Sequence, residues 1–509
     1  MEKLNFLEKE KIEHSDDLLR MGKYAILVCI FTEIAMLSQL SNTMFMIYAG
    51  STPQILSCHS GNLTFSSNLE ACQEENWKIC QNHSSQITFD RQFYGITEQF
   101  LLFCDDAKLE KLGISIQMFG LMLGCLVFGQ IADSYGRRIP MLICLIMCTI
   151  FGILSAFANN FWIFTALRTI LSFFNGGQCT VSVVYMIENV PKKSRMYLST
   201  LISFSPNVIL LGILAWFFQK WDHLAIVISV LILPSVIIIS GFLHESPRWL
   251  MQKGKIDEAQ KTILKINKFD GSKSRKLDPV ALSEILKNEH AQFSENSSKT
   301  QHSFKDLVST KQTAIGTFVI GFTFFSTTFI NYANMFNLGS ISGSIYMNSI
   351  MIGSLRYSVS IFCGFLDFKY LCFNRKISHG LCSLMTICAI LVTILIKVSG
   401  ESEAFGIIVR FCVLLSCTMT SQAIIVASVT CNELMPTAIR SLAYSVAQLS
   451  SRFGIVLSPH LFFLHLYIGD GLDILPYLIA LLFAVADLIF FKYLIPETKN
   501  KPLEDHIRK

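Results

Sequence analysis

Charge is what this sequence has least of. Only 16% of its 509 residues are Asp, Glu, Lys or Arg, against 52% hydrophobic residues and a mean hydropathy of +0.48. That balance excludes an ordinary soluble globular domain and points to a polytopic membrane protein. Chemical motifs are missing too. The chain has no phosphate-cradling loop, so ATP-driven transport has no warrant, and it has neither a nucleophile elbow nor zinc-like His/Cys spacing. An enzyme would lack its catalytic constellation, and no cofactor or metal is expected. The histidines are scattered singly, and the pairs Cys144/Cys148 and Cys363/Cys372 read as buried thiols. Residues 1–20 are charged and polar, with no short apolar run before a cleavage site, so the first span is expected to direct insertion.

Apolar stretches fill the rest. Twelve spans are predicted, near 24–48, 111–131, 139–158, 161–186, 197–219, 223–243, 313–334, 342–366, 377–397, 404–430, 441–465 and 473–495. Cations crowd the loops on one side of this count, among them Arg137, Arg138, Lys192, Lys193, Arg195, Arg375, Lys376 and Arg440. The positive-inside rule then makes both termini cytoplasmic. On the other side, Cys58, Cys72, Cys80 and Cys104 are expected to form two disulfides, in any of three connectivities. Asn62 and Asn82 begin glycosylation sequons in the same segment, whereas the sequon at Asn296 falls on the cytoplasmic side.

The expected organisation is a cytoplasmic N-terminus (1–23), a six-helix bundle (24–243) that includes an extracellular loop (50–108), a cytoplasmic linker with short helices (244–312), a second six-helix bundle (313–495) and a cytoplasmic tail (496–509). In the linker, IDEAQKTILKI has the spacing of an amphipathic helix lying against the membrane.

The halves echo each other. Glu188, Pro191 and Arg195 recur at the same spacing as Glu433, Pro436 and Arg440. HESPR, with Glu245 and Arg248, is echoed by PETK, with Glu497. The offset grows in order from 234 (Asp133 to Asp367) through 242 (Arg168 to Arg410) and 245 (Glu188 to Glu433) to 252 (Glu245 to Glu497). Two parallel six-helix repeats are the pattern of major facilitator transporters. These repeated charges, with Arg137 and Arg138 after Asp133, are candidate gating residues. In the expected scheme Glu188 and Glu433 pair with arginines of an opposing or adjacent helix, and breaking the pairs opens the cytoplasmic side.

Two cations lie far from any loop. Arg452 is about 18 Å along a helix from Arg440, and Arg356 about 16 Å from Asp367, which places both near the centre of a ~30 Å apolar layer. Isolated arginines there cost about 2.5 to 3.5 kcal/mol and mark a cavity or a partner. They favour a site for negative ligands, with Tyr332 and Asn331 beside Phe329 and Phe336 as an aromatic wall. Glu33, about 15 Å into the first span, has a structural ion pair as its first reading, with a proton or a bound cationic group as alternatives. The nearby stripe Gln39, Ser41, Asn42 and Thr43 serves interhelical hydrogen bonds or substrate contact equally well.

Taken together, TEQFLLFC, GQIADSYGRR, HESPRWL, NELMPTAIR and PETKNKPL, with the Cys-rich outer loop, make the chain resemble the organic anion, cation and zwitterion carrier family of the major facilitator superfamily over nearly its whole length. The resemblance implies an all-α fold of twelve transmembrane helices, a plasma-membrane location, a small organic ion as substrate, and uniport or exchange; the partners expected are that substrate and the lipid bilayer, with no nucleic acid, and the sequence leaves open whether the protein is a monomer. Cation-carrying members resemble one another in an acidic residue seven positions before a proline of the eleventh span. Here that position is Arg452, seven before Pro459, and the anion type is implied. Tyr332 matches a binding-site tyrosine, Asn42 a polar first-helix position and Arg356 a charged eighth-helix position. Departures are a shorter outer loop, LDFKYLCFNRK in place of a Gly-Arg-Arg ending, and Asn500 for a glycine. The alternatives kept are a cation or zwitterion (carnitine-like) carrier and a non-transporting solute sensor or scaffold.

Overall fold

The computed structural model describes residues 21–58, 63–65, 68–82, 87–191, 202, 204–271, 279–299, 307–341, 343–370, 373–400, 404–436, 439–464 and 474–499. Among these residues, ten helices are long and apolar enough to cross a membrane. In chain order with two shorter ones, they are α1 (Lys23–Ala49), α2 (Ala107–Tyr135), α3 (Arg138–Ala156), α4 (Phe161–Asn189), α5 (Phe204–Phe217), α6 (Trp221–Gly241), α7 (Lys311–Phe336), α8 (Ile345–Lys369), α9 (Arg375–Val398), α10 (Gly406–Leu434), α11 (Arg440–Leu457) and α12 (Leu475–Leu494). α11 gives way to a 3-10 turn, Ser458–Phe463, where Pro459 has no N–H to continue the α-helical ladder.

Helix pairing repeats between the halves. α4 packs against α1, α2 and α3, and α10 against α7, α8 and α9; α1 meets α5 as α7 meets α11, and α3 meets α6 as α9 meets α12. Close approach is built from small residues. A Cβ on Gly124 would lie 1.8 Å from the Phe173 carbonyl oxygen, and one on Gly176 2.2 Å from that of Leu121, so reciprocal glycines let the α2 and α4 backbones touch. The halves join along α5–α8 and α2–α11. Large apolar side chains such as Phe217, Ile237, Ile407 and Leu482 stay exposed on the outside, the signature of a surface solvated by lipid.

One apolar core runs through both halves at the end that carries the disulfides. It unites Met44, Phe45 and Tyr48 with Met335, Phe336, Tyr346 and Ile455. Tyr48 stacks on Tyr346 at 6.1 Å, and Gln92 makes three hydrogen bonds to the first turn of α8 and the residues before it, with Gly343, Ile345 and Tyr346. Towards the other end each half keeps its own core, Phe31, Tyr185 and Ile239 in the first and Ile320, Phe324 and Phe491 in the second. The halves are therefore sealed together at the disulfide end.

The Cys-rich segment is more ordered than its sequence suggested. Strands β1 (Gln54–Cys58), β2 (Leu63–Thr64) and β3 (Thr88–Asp90) form an antiparallel sheet in the order β2-β1-β3. Its disulfides are Cys58–Cys80 and Cys72–Cys104, which selects one of the three open connectivities. Ile55, Ala71, Trp77 and Phe103 pack around them. So small a core leans on its cross-links. Removing one by Cys72→Ser with Cys104→Ser should cost the segment about 2 to 5 kcal/mol, read as faster proteolysis between residues 50 and 106 with the bundle intact. Asn62 lies outside the described residues, and Asn82 ends the helix Glu74–Asn82.

The linker corrects an expectation. Its helices Pro247–Gln252, Ile256–Asp270 and Pro279–Lys299 bury Trp249, Leu250, Ile263, Leu282 and Leu286 against one another. The apolar face of Ile256–Asp270 is satisfied by protein, where the sequence pointed to the membrane surface. Asp270 then accepts the Tyr24 N–H at 2.8 Å, tying the linker to the start of α1.

Candidate functional site

Two sets of charged residues emerge, one at the end opposite the disulfides and one in the interior. In the first half, Arg137 follows α2 and reaches Glu188 at the end of α4, with Nη2 3.1 Å from Oε1 and Nε 3.3 Å from Oε2. Its Nη1 meets Asp133 at 2.9 Å and donates to the Ala132 carbonyl. Glu245, just past α6, accepts the backbone N–H groups of Arg137, Arg138 and Ser246. A carboxylate so placed caps the start of α3, where N–H groups have no helical partner and the macrodipole is positive.

The second half repeats this design. Arg375 at the start of α9 holds Glu433 of α10 through Nη2 at 2.9 Å and Nε at 3.1 Å, and Asp367 through Nη1 at 2.8 Å. Lys499 adds a second cation 3.0 Å from Asp367, and Thr498 donates to Glu433 at 2.7 Å. Glu497 accepts the N–H groups of Arg375, Lys376, Thr498 and Lys499 at 3.0 to 3.1 Å. Burial acts to raise the Glu497 carboxyl, but those backbone donors outweigh it and hold the group below the usual carboxylate range. Arg375 thus occupies the place of Arg137, although LDFKYLCFNRK lacks the Gly-Arg-Arg ending. The ordered offsets of the sequence repeat contain the signal, because a 238-residue offset from Arg137 to Arg375 falls between 234 and 242.

Both clusters are closed within their own halves. Glu188 and Glu433 each pair with an arginine at the start of an adjacent helix, one of the two arrangements expected, and among the described residues no ion pair joins either to the opposite half. Arg138 turns to the carbonyls of Ile239 and Ser240. Arg440 donates to the Met435 carbonyl at 3.3 Å, Arg248 lies half-buried in the helix Pro247–Gln252, and Arg195 falls outside the described residues.

Arg168 and Arg410 belong elsewhere. Arg168 is fully buried near the disulfide end of α4, donates to the side-chain and backbone oxygens of Asn42 at 3.3 and 2.9 Å, and stacks 4.2 Å from the Phe45 ring. It fastens α4 to α1, about 30 Å along the helix from Glu188. Asn42 is buried and engaged by that arginine. Arg410, near the same end of α10, meets the Met351 sulfur at 3.4 Å.

In the interior, Arg452 halfway along α11 is half-buried and its Nη2 lies 3.6 Å from the Cys179 sulfur. Arg356 on α8, also half-buried, donates to Ser421 at 3.0 and 2.7 Å. Among the described residues neither has a carboxylate at ion-pair distance. Tyr332 of α7 stands within electrostatic reach of both and packs 5.9 Å from Phe336. Asn331 faces the other way, donating to the Cys417 carbonyl and the Thr420 hydroxyl on α10. Glu33 is engaged by Asn207 of α5, and its Oε2 has no hydrogen-bond partner, so the ion pair read from the sequence is replaced by a neutral contact. The structure brings Arg452, Arg356 and Tyr332 together and leaves Asn42 and Asn331 in helix packing. Ser421 and Cys179, the neutral groups holding the arginines, escaped a reading that looked for charges.

The fold is that of a family of membrane carriers. It resembles the inward-open form of the xylose transporter XylE from E. coli with a TM-score of 0.65 and 15% identity, covering 94% of this chain and 98% of that one. The partially occluded inward-open form gives 0.64 at 16% identity over 95% and 100%. Relatives by sequence include organic cation/carnitine transporter 4 of Arabidopsis thaliana, 26% identical over 95% of this chain and 88% of its own length. A steroid transmembrane transporter of Equus caballus is 28% identical over 82% and 74%, and solute carrier family 22 member 6 of Danio rerio 24% over 86% and 80%. The sugar (and other) transporter family matches residues 27–508, nearly the whole chain with both repeated charge clusters, and it is to this family of transporters, not to any family of enzymes, that the protein belongs.

Proposed function

We propose that the protein carries organic anions across the plasma membrane by alternating access, with Arg452 as the principal anion contact, Arg356 as the second and Tyr332 between them. The observation that carries this reading is the pair of half-buried guanidinium groups on α8 and α11, both within electrostatic reach of Tyr332 and held by neutral Ser421 and Cys179, with no carboxylate partner among the described residues. A cation kept unneutralised within an apolar layer is costly unless a ligand or water completes it, and an anionic solute does so with charge-assisted hydrogen bonds.

In this reading the two six-helix halves rock about a central path, and the ion-pair end faces the cytoplasm with both termini, as the cation-rich loops require. The Cys-rich sheet then lies outside, where disulfides persist and Asn62 and Asn82 carry glycans. The charge clusters stiffen each half. The sensor alternative drew on the altered loop after α8, and the full cluster around Arg375 weakens that support.

One observation favours a second reading. The buried Oε2 of Glu33 has no partner, as a contact for an organic cation or zwitterion would require. Uptake of labelled anions and cations into cells, normalised to surface protein, tests both. The anion reading expects saturable anion uptake that survives Glu33→Gln. Cation uptake lost in Glu33→Gln would transfer the assignment to the cation carrier, and uptake of neither class would favour the sensor.

A further inference from the structure

A second polar site lies inside the second half, apart from Arg452 and Arg356. Asp487 of α12 is 2% exposed and about 10 Å from the ion-pair end of its helix. One of its oxygens, Oδ2, accepts from Ser383 at 3.3 Å and lies 3.3 Å from Nε2 of His379 on α9, a contact without hydrogen-bond geometry. The other, Oδ1, has no partner at all. An intramembrane carboxylate left half-satisfied costs several kcal/mol, which makes it a functional site by default.

Beside it is a cavity between α7, α9, α10 and α12, with room for roughly one water-sized occupant. Its polar lining is Asp487 with Ser326, Thr327, Ser383, Thr386 and Thr420. All five hydroxyls spend their protons elsewhere. Ser326 donates to the Phe483 carbonyl, Thr327 to Thr323, Thr386 to Cys382, Thr420 to Ser416, and Ser383 to Asp487 itself. What they present to the cavity is lone pairs, so the chamber is rich in acceptors and poor in donors. A water molecule here would donate both its protons and find no donor for its own lone pairs, whereas a hard cation needs only oxygens.

We propose that this chamber binds one small monovalent metal cation of the sodium class, with Asp487 Oδ1 as its anionic ligand and the hydroxyls of Ser326, Thr327, Ser383 and Thr386 completing the shell. The site sits between α7, which bears Tyr332, α9, which begins at Arg375, and α12. Occupancy therefore draws α7, α9 and α12 together. The inference does not rest on the anion reading, and its test uses no organic solute, so either can fail alone.

The experiment is thermal unfolding of the purified full-length protein in detergent, at constant ionic strength, as choline chloride is exchanged for sodium chloride. The expected result is a Tm that rises saturably with sodium, as for any ligand bound only by the folded state, and a rise that vanishes in Asp487→Asn. Ser383→Ala and Thr386→Val keep the carboxylate, so they test the shell even if Asp487→Asn does not fold, and each should raise the half-saturating sodium about tenfold or more. A wild-type Tm indifferent to sodium, or an unchanged response in the hydroxyl variants, overturns the proposal. So does a Tm that follows pH alone, which would make Asp487 a proton site.

Discussion

Arg452→Asp abolishes saturable uptake of organic anions while the amount of protein at the cell surface is unchanged. The side chain is half-buried, and among the described residues it has no carboxylate partner and one hydrogen bond, to the Cys179 sulfur, so the folded state loses little when it is replaced. A bound anion loses much more. Unit charges 4 Å apart interact by about 4 kcal/mol at an effective dielectric of 20, and reversing one charge roughly doubles that difference. At 1.4 kcal/mol per tenfold, such a change exceeds any residual affinity a transport assay can register. Arg452→Lys keeps the charge without the planar fork and should fall between. Initial rates per surface molecule, measured with and without Arg356→Ala, decide the matter; anion uptake unchanged in Arg452→Asp would remove this residue from the site.

Arg137→Ala destabilises the protein by about 3 to 5 kcal/mol, the cost of stranding one partner of a buried ion pair, and it does so more than Arg375→Ala. The two arginines hold equivalent positions, but their surroundings differ. The side chains of Arg137 and Glu188 are 8% and 10% exposed, so loss of the guanidinium leaves a carboxylate with little access to water. Those of Arg375 and Glu433 are 17% and 24% exposed, and Lys499 and Thr498 remain to serve Asp367 and Glu433. Thermal unfolding of the purified variants should place Arg137→Ala lower in Tm than Arg375→Ala. The double change Arg137→Gln with Glu188→Gln should recover part of the loss, because no buried charge is then unpaired. Equal losses in the two halves would mean that residual hydration of the second cluster has no energetic weight.

Periodicity and hydropathy carried most of the fold, because an apolar solvent leaves helices as the economical way to satisfy a continuous backbone. The repeated Glu residues were legible for a similar reason: capping a helix start and pairing with an arginine are local tasks that keep their spacing through duplication. Arg375 was harder to assign, since eight residues separate it from Asp367 where four separate Arg137 from Asp133. Arg168 misled because its place in the repeat, 20 residues before Glu188, suggested a gate, whereas two oxygens of neutral Asn42 and the face of Phe45 hold it at the other end of α4. His379 and Asp487 meet only because α9 packs on α12, and nothing local to either residue announces that contact. The small sheet was hidden by strands of two to five residues, too short for alternation to register.

The seal at the disulfide end has a thermodynamic consequence for a carrier whose halves rock. Each ion-pair cluster stays within one half, so tilting the halves need not break either. What must part is the shared apolar core, with Tyr48 lifted from Tyr346 and Gln92 from the start of α8. Wetting that surface raises the heat capacity of the state open at the disulfide end, so its population should vary with temperature along a curve while added salt moves it little.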